Sequence, residues 1–337
     1  MLMRMLLPGP TVRHRARMLA SRCSLGITPE LRRHWRVPTL QGSKELEQYL
    51  AFKYLPSWYG DVDIARFLSS PDGRLDMQLH LTQRLWLDRY QFVPWISSLL
   101  PLPGARVLEI GCGTGSAVVS LAEQGASVTA LDLHAEAIEA TRLRCRAYKV
   151  PFTALMANAR DLTSFFGLGD HDLIVFFAVL EHMTLAERRD SLQAAWRLLR
   201  PGQYLCIADT PNRLWPYDSH TSRLPFFNWL PDELAFDYSS RSPKLPFNAK
   251  FRDRSTAAMV DFVRQGRGVS YHEVEVAIGE QRVVSDQTSF VTIRNPLRLV
   301  KRLLENDSGR ERWLNEFARD RHRGWFRQSI NVVFRKE

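Results

Sequence analysis

The chain has 337 residues, of which 45% are hydrophobic, so it is long enough for one large globular domain or two small ones. Its longest apolar run, residues 173–180, is far shorter than the ~18 residues that a membrane span needs, which argues against a transmembrane helix. The cysteines show no C-x-x-C spacing, so we expect free thiols, a reducing compartment and no structural metal site. They are Cys23, Cys112, Cys145 and Cys206.

The net charge of +10 is concentrated in residues 241–337, which hold 20 Lys and Arg against 12 Asp and Glu. Such a surplus attracts nucleic acid, anionic lipid or phosphorylated substrates, but it is most often a solvated face, and we adopt that interpretation. Residues 1–29 hold five arginines and no acid. This composition is typical of a transit peptide and also of a basic tail. We expect a tail on a cytoplasmic protein, with organelle targeting as the alternative.

In chain order, a basic and helical extension over residues 1–75 precedes one domain over residues 76–337. An apolar-rich helical segment over 76–100 ends at two prolines. The pattern then alternates, which predicts a parallel sheet with helices on both faces. The strands are expected at 106–110, 127–132, 152–156, 171–177 and 203–208, and the helices at 116–124, 135–147 and 185–199.

Residues 209–253 break this rhythm with prolines and aromatic residues, and long irregular segments in compact domains are usually functional, so we predict a substrate lid there. The remaining pattern predicts further elements on either side of a basic helical insertion at about 295–320. They are a helix at 256–264, a strand at 269–277, basic helical turns at 296–319 and a last strand at 328–334.

The first strand runs directly into a loop with three alternate glycines. Gly111 allows a sharp turn, Gly113 allows backbone N–H groups to approach a ligand, and Gly115 allows close helix packing. The third glycine comes one residue earlier than in the dinucleotide pattern G-x-G-x-x-G. The second strand ends in Asp132, whose two carboxylate oxygens can accept from two adjacent hydroxyls.

With Glu109 before the loop, these features resemble the class I S-adenosylmethionine-dependent methyltransferases, over residues 105–210. The resemblance implies an α/β, Rossmann-like doubly wound, mostly parallel seven-stranded sheet with an antiparallel last strand. It also implies S-adenosyl-L-methionine as cofactor, with the glycine loop at its methionine part and Asp132 at its ribose. An unrelated doubly wound sheet is the alternative. The implied cofactor residues are Glu109, Gly111, Cys112, Gly113, Gly115, Asp132, Leu133, Asn158, Ala159, Phe177 and Arg89.

Two of these assignments leave alternatives open. Asn158 stands where the family usually has an acid that reads adenine; its amide oxygen can still accept a hydrogen bond, or it forms a simple Asn turn. Arg89, or Arg84 one turn earlier, is positioned to meet the carboxylate of the cofactor as in the relatives. Surface pairing is an equal alternative for either arginine.

The stretch Val179-Leu-Glu181-His182 resembles the ubiquinone-pathway O-methyltransferases and the small-RNA 2′-O-methyltransferases. In those relatives an earlier Glu joins the Glu-His pair as a metal ligand, and that position is Ala178 here. We therefore expect no intrinsic metal. His182 is expected to act as the general base, with Glu181 orienting it. The alternative is that the pair only caps a helix.

A second polar set follows the fifth strand, with Tyr217, Asp218 and His220 close in sequence. We expect Trp215 and residues 226–229 to form an aromatic substrate wall beside them, or alternatively a packed loop. The predicted catalytic residues are His182, Glu181, Asp218 and His220.

Three functions compete on these grounds. The first is O-methylation of a small hydroxylated molecule such as a phenol, quinol or glycoside. The second is methylation of RNA or protein, with nucleic acid the less favoured partner. Its docking face would be the basic C-terminal region and its aromatic side chains, Trp313, Phe317, Trp325 and Phe326. The third is a non-catalytic partner subunit, against which the intact glycine loop argues. The oligomeric state does not follow from the sequence.

Overall fold

A computed structural model describes residues 40–59, 63–244, 247–288, 290 and 307–337. The predicted basic tail, and the helical turns between 296 and 306, lie outside these residues. Among the described residues, no helix is long and apolar enough to cross a membrane. The centre of the fold is a sheet whose strands are β1 Arg106–Ile110, β2 Ser127–Asp132, β3 Thr153–Met156, β4 Leu173–Phe177, β5 Tyr204–Pro211, β6 Val283–Asp286 and β7 Ser329–Arg335.

The strand order is β3-β2-β1-β4-β5-β7-β6, which confirms the predicted seven-stranded, mostly parallel sheet. Strands β1 to β5 are parallel, and the last strand β7 runs antiparallel to both β5 and β6. The side chains of Leu173 to Phe176 are fully buried, as expected of a central strand covered on both faces. Because β1 lies between β2 and β4, the chain order reverses there, and a crevice opens at the carboxyl ends of these strands.

The predicted helices around the first five strands are confirmed, with small shifts at their ends, at Ser116–Ala122, Ala135–Tyr148 and Leu185–Leu198. Upstream, helical backbone runs over 40–59 and again over 71–97. The expected boundary between residues 75 and 76 falls inside the second run. Tyr54 and Leu55 of the first run pack, with Leu46 and Leu50, against the helix Ala135–Tyr148, so the upstream helices are part of the core.

The predicted strand at 269–277 is wrong, because this segment forms the helix Tyr271–Ile278. Its alternating valines suggested a strand, but Ser270 and Glu273 form a capping box that starts a helix. The sixth strand is instead β6, which the sequence did not indicate. The helix predicted at 256–264 is confirmed as Thr256–Arg264.

The segment predicted as an irregular lid is folded around aromatic side chains. It contains the helices Asp232–Tyr238 and Phe247–Lys250 and a short turn of 3-10 helix at Phe227–Trp229. Its rings pack edge to face with those of the helix Thr256–Arg264, a geometry that stabilises aromatic pairs. The buried rings of this cluster are Phe227, Phe236, Phe247, Phe251 and Phe262.

Arg144 joins the glycine loop to the upstream helices. Its side chain is fully buried, and its guanidinium donates to the backbone oxygens of Thr114, Leu81 and His80. Burial lowers the pKa of Arg144 to about 10, so it stays charged at neutral pH.

We predict that Arg144→Met lowers the free energy of unfolding by about 3 kcal/mol or more, because it leaves these buried carbonyl oxygens without donors. Denaturant unfolding measures the change. The control is Arg142→Met on the same helix, whose half-exposed side chain only pairs with Glu139 and whose loss is expected to cost about 0.5 kcal/mol or less. Equal effects of the two substitutions would contradict the role given to Arg144.

Candidate active site

A cavity of about 300 Å³ lies at the carboxyl ends of β1, β2 and β4. The loops after these strands form its floor, and the upstream helices and the lid segment cover it. Its size and its mixture of apolar and polar walls are those of a small-molecule site. Most of the predicted cofactor residues line it, namely Glu109, Gly111, Cys112, Gly113, Asp132, Leu133, Asn158, Ala159 and Phe177.

The glycine loop turns as its sequence predicted. Gly111 and Gly115 have φ values of 75° and 74°, which residues other than glycine rarely adopt. A Cβ on Gly111 would lie 2.3 Å from Val179 Cγ2, and a Cβ on Gly115 would lie 2.9 Å from Thr141 on the helix Ala135–Tyr148. Gly115 therefore acts outside the cavity, where it allows the loop to pack closely on that helix.

Two carboxyl groups present polar atoms to the cavity. Asp132 accepts the N–H groups of Gly113 at 3.1 Å and His134 at 3.0 Å, which hold its carboxylate in place. Burial raises the pKa of Asp132, and these backbone donors oppose the shift. Glu109 is buried, and its Oε2 atom has no hydrogen-bond partner among the described residues. Burial also raises the pKa of Glu109, and the nearby carboxyls of Asp88 and Asp132 add to that shift.

The structure separates the two arginines that the sequence proposed for the cofactor. Arg89 lies outside the cavity, where its guanidinium pairs with Glu123 and stacks over Tyr148. Its assignment as a cofactor residue is therefore corrected. Arg84 lines the cavity instead. Asn158 also lines the cavity, and its amide oxygen accepts from the N–H of Arg160 at 3.0 Å, as the simple Asn turn requires.

Sequence reasoning missed one wall of the cavity. Tyr54, Trp58 and Tyr59 come from the first upstream helical run, within the part of the chain that was assigned to an extension. The ring of Trp58 lies 5.2 Å from that of His182 and 5.8 Å from that of His134. The only signal in the sequence was the density of aromatic residues between 52 and 59.

The structure brings Glu181, His182 and His220 together. His182 Nδ1 lies 2.8 Å from the backbone oxygen of Arg264. Because a carbonyl oxygen only accepts, Nδ1 carries the proton and Nε2 has a free lone pair in the neutral ring. This Nε2 and that of His220 lie 3.8 Å and 3.7 Å from the same atom, Glu181 Oε1. Burial lowers the pKa of His182 to about 4, partly offset by its hydrogen bond to Arg264.

Glu181 is fully buried, and neither of its carboxyl oxygens has a hydrogen-bond partner among the described residues. Burial raises its pKa to about 8. The backbone around it is clamped by Arg188, which donates to the carbonyl oxygens of Glu181, Met183 and Arg267. The adjacent strand end is strained, because Ala178 has a φ of 47° without being glycine.

Asp218 does not take part in this cluster, and its predicted catalytic role is corrected. Its two oxygens accept from the N–H groups of His220, Thr221 and Ser222 and from the Ser222 hydroxyl. It lies outside the main cavity. Asp218 therefore shapes the turn that carries His220.

The predicted aromatic substrate wall is also corrected. Phe227 and Asn228 are buried in the protein, while Trp215, Tyr217 and Phe226 line a separate surface cavity of about 620 Å³. The sequence showed that these aromatic residues are close along the chain but not which way each one points. The ring wall of the main cavity is the upstream set of Tyr54, Trp58 and Tyr59.

The cluster also has the composition of a metal site. One ligand atom from each of Glu181, His182 and His220 lies within 4.8 Å of the others. The expectation of no metal rested on Ala178, whereas the third group of this cluster, His220, comes from the lid.

Comparison with known proteins agrees with this geometry. The profile of a family described as a methyltransferase domain matches residues 107–202, the segment that forms β1 to β4 and the helices between them. A ubiquinone biosynthesis O-methyltransferase of Xanthomonas oryzae is 35% identical over 119 residues. Residues 107–202 form a methyltransferase domain of the class I, S-adenosylmethionine-dependent type.

The similarity covers part of each protein. The Xanthomonas match spans 35% of this chain and 48% of the relative, and an uncharacterized methyltransferase of Synechocystis is 32% identical over 36% of this chain and 54% of its own length. The chain thus spans about half the length of the curated relatives it matches. A solved methyltransferase of Methanosarcina mazei is 28% identical with a TM-score of 0.33, over 36% of this chain and 58% of that one.

S-adenosyl-L-methionine, the cofactor of this family, fits the polar atoms of the cavity at the carboxyl ends of β1, β2 and β4. A buried carboxylate at the end of β2 suits a pair of ribose hydroxyls, and the unpartnered Oε2 of Glu109 is an acceptor for a ligand donor. The exposed side chain of Leu133 and the ring of Phe177 add apolar surface.

Proposed function

We propose that this chain transfers the methyl group of S-adenosyl-L-methionine to a hydroxyl oxygen of a small acceptor. The observation that carries the proposal is the free Nε2 lone pair of His182, which lies in the same cavity as Asp132 and the glycine loop. The name of the Xanthomonas relative, an O-methyltransferase, supports the choice of oxygen.

We assign the cofactor side of the cavity as follows. Asp132 accepts the two ribose hydroxyls, while the glycine loop and Glu109 contact the methionine part. Arg84 replaces Arg89 as the partner of the cofactor carboxylate, since it is the arginine that lines the cavity. Asn158 and Ala159 lie at the adenine edge, and Leu133 and Phe177 pack against the cofactor.

On the acceptor side, His182 takes the proton of the attacking hydroxyl. The acceptor oxygen forms a bond to the methyl carbon of the bound cofactor as the carbon–sulfur bond breaks, which leaves S-adenosylhomocysteine. Nε2 accepts the proton because Nδ1 is held by the Arg264 carbonyl. The ring of Trp58 packs against the imidazole, with the two ring centroids 5.2 Å apart.

A screen with radiolabelled cofactor tests the acceptor class. The protein is incubated with phenols, catechols and glycosides and, in parallel, with bulk RNA and a protein extract. We expect label in small hydroxylated compounds. Label only in RNA or protein would replace the proposal with the macromolecular alternative, and no transfer despite cofactor binding would favour the non-catalytic one.

We predict that methyl transfer survives complete chelation of divalent ions, because Ala178 stands at the position of the relatives' further metal ligand and supplies none. Turnover is compared before and after treatment with a chelator, with metal content measured in the same sample. Loss of turnover that Mg²⁺ or Zn²⁺ restores would show that Glu181, His182 and His220 hold a required ion.

A further inference from the structure

The cavity contains a cation that the proposed cofactor does not use. Lys244 comes from the lid segment and lines the cavity beside the imidazoles. The Lys244 ammonium donates to the backbone oxygen of His220 at 3.1 Å, and the backbone N–H of Lys244 donates to Ser242 Oγ at 3.0 Å. These contacts hold the lysine beside the backbone of His220, whose ring centroid lies 5.5 Å from that of His182.

In the described part of the chain, no carboxylate lies within ion-pair distance of the Lys244 ammonium. Asp76, which lines the same cavity, accepts the hydroxyl of Tyr59 at 2.8 Å and faces His80 at 3.8 Å. Arg264, another cation of the cavity, is neutralised by Glu187 at 2.7 Å. Lys244 is thus a half-buried charge whose hydrogen bond goes to a neutral group.

A charge that is taken out of water without a counter-ion costs free energy. Burial lowers the pKa of Lys244, and the distant carboxylates of Asp76, Asp72 and Asp218 only partly oppose this shift. Two of these carboxylates are already engaged, since Asp72 pairs with Arg223 and Asp218 accepts from its own turn. An anionic ligand beside Lys244 would remove the cost.

We propose that the methyl acceptor carries an anionic oxygen group, a carboxylate or a phosphate, that pairs with Lys244. This inference rests on the proposed function, because it assigns the acceptor to the imidazole end of the cavity. The pairing places the hydroxyl near His182 Nε2 by fixing a second point of the acceptor. Orientation of this kind is a large part of catalysis by methyl transfer between two bound molecules.

Calorimetry with three probes tests the proposal in the complex with S-adenosylhomocysteine. The probes are 4-hydroxyphenylacetate, 4-hydroxyphenyl phosphate and the neutral 4-hydroxyphenylacetamide. We expect at least one anionic probe to bind more tightly than the amide. Lys244→Met should weaken the anionic probe about 10- to 100-fold and leave the amide unchanged, and Lys244→Arg should retain the preference. Binding of S-adenosylhomocysteine to each variant shows that it is folded.

Several results would overturn the proposal. If the parent protein shows no preference for anionic probes, or if Lys244→Met affects anionic and neutral probes equally, Lys244 does not pair with an anionic group of the acceptor. If turnover of the acceptors found in the screen falls in Lys244→Met without a change in KM, the lysine acts on the reacting hydroxyl instead. Lys244-dependent anion binding without any methyl transfer would retain the anion site and reject the proposed function.

Discussion

His182→Ala is expected to lower kcat by ~10²–10⁴-fold while leaving the affinity for S-adenosylhomocysteine nearly unchanged. The reason is that a general base acts on the hydroxyl in the transition state and contributes little to binding in the ground state. In this cavity the hydrogen bond from His182 Nδ1 to the Arg264 carbonyl leaves the lone pair of His182 Nε2 free to accept the proton. Turnover is measured with the acceptor found in the screen, and affinity by calorimetry.

The matched control for this substitution is His220→Ala, since both imidazoles lie at similar distances from Glu181 Oε1. We expect a smaller loss of kcat in this variant, because His220 Nδ1 contacts the Thr221 hydroxyl, which can donate or accept, whereas His182 Nδ1 contacts a carbonyl oxygen, which only accepts. An active His182→Ala enzyme at neutral pH would show that the base is assigned wrongly. His220 would then be the next candidate.

The same assignment predicts a pH profile. The base must be neutral to accept a proton, so activity is lost as the pH falls through its pKa in the folded protein. Burial lowers the pKa of His182 to about 4, so kcat should not fall between pH 8 and 6 because of this residue. A loss of kcat centred near pH 6.5, where an unperturbed imidazole titrates, would contradict the described environment of His182.

Asp132→Ala is expected to weaken binding of S-adenosylhomocysteine by about 10²- to 10⁴-fold. Two charge-assisted hydrogen bonds to the ribose would be lost, at about 1.5–3 kcal/mol each. Calorimetry measures the change. Asp132→Asn is the control, because its amide oxygen can keep one of the two bonds and can still accept from Gly113, and it should lose less affinity.

Unfolding of both Asp132 variants is measured in parallel, because the carboxylate also holds the backbone of Gly113 and His134. An unchanged affinity in Asp132→Ala, or tight binding of NAD in place of S-adenosylhomocysteine, would remove the ribose assignment. A loss of affinity without a loss of stability would separate the contact from its structural role.

The sequence predicted the sheet well because its signals are local. Continuous apolar strands, the glycines after β1 and the acid after β2 each depend on a few adjacent residues, and the structure places them as expected. The error at residues 269–277 arose where two local signals competed. Alternating valines favoured a strand, while the Ser270 and Glu273 capping box, which satisfies the first backbone donors of a helix, decided the outcome.

The candidate site was only partly predictable, because its side chains come from distant segments. His220 joins Glu181 through a turn that Asp218 shapes, and nothing adjacent to Glu181 in the sequence indicates this contact. Arg84 and Arg89 are close in sequence, yet only Arg84 lines the cavity, because Arg89 meets Glu123 at the end of the helix Ser116–Ala122. The sequence also did not separate buried from exposed aromatic residues in the basic C-terminal region. Trp325 and Phe326 are core residues there, while Trp313 and Phe317 are exposed.

The position of the transferred methyl group distinguishes methylation of a hydroxyl oxygen from methylation of any other atom. The parent protein is incubated with cofactor labelled with ¹³C at the methyl carbon and with an acceptor found in the screen, and the product is analysed by NMR and mass spectrometry. We expect one methyl group on a hydroxyl oxygen and one equivalent of S-adenosylhomocysteine. A methyl group on nitrogen, carbon or sulfur of an acceptor that also carries a free hydroxyl would contradict this expectation.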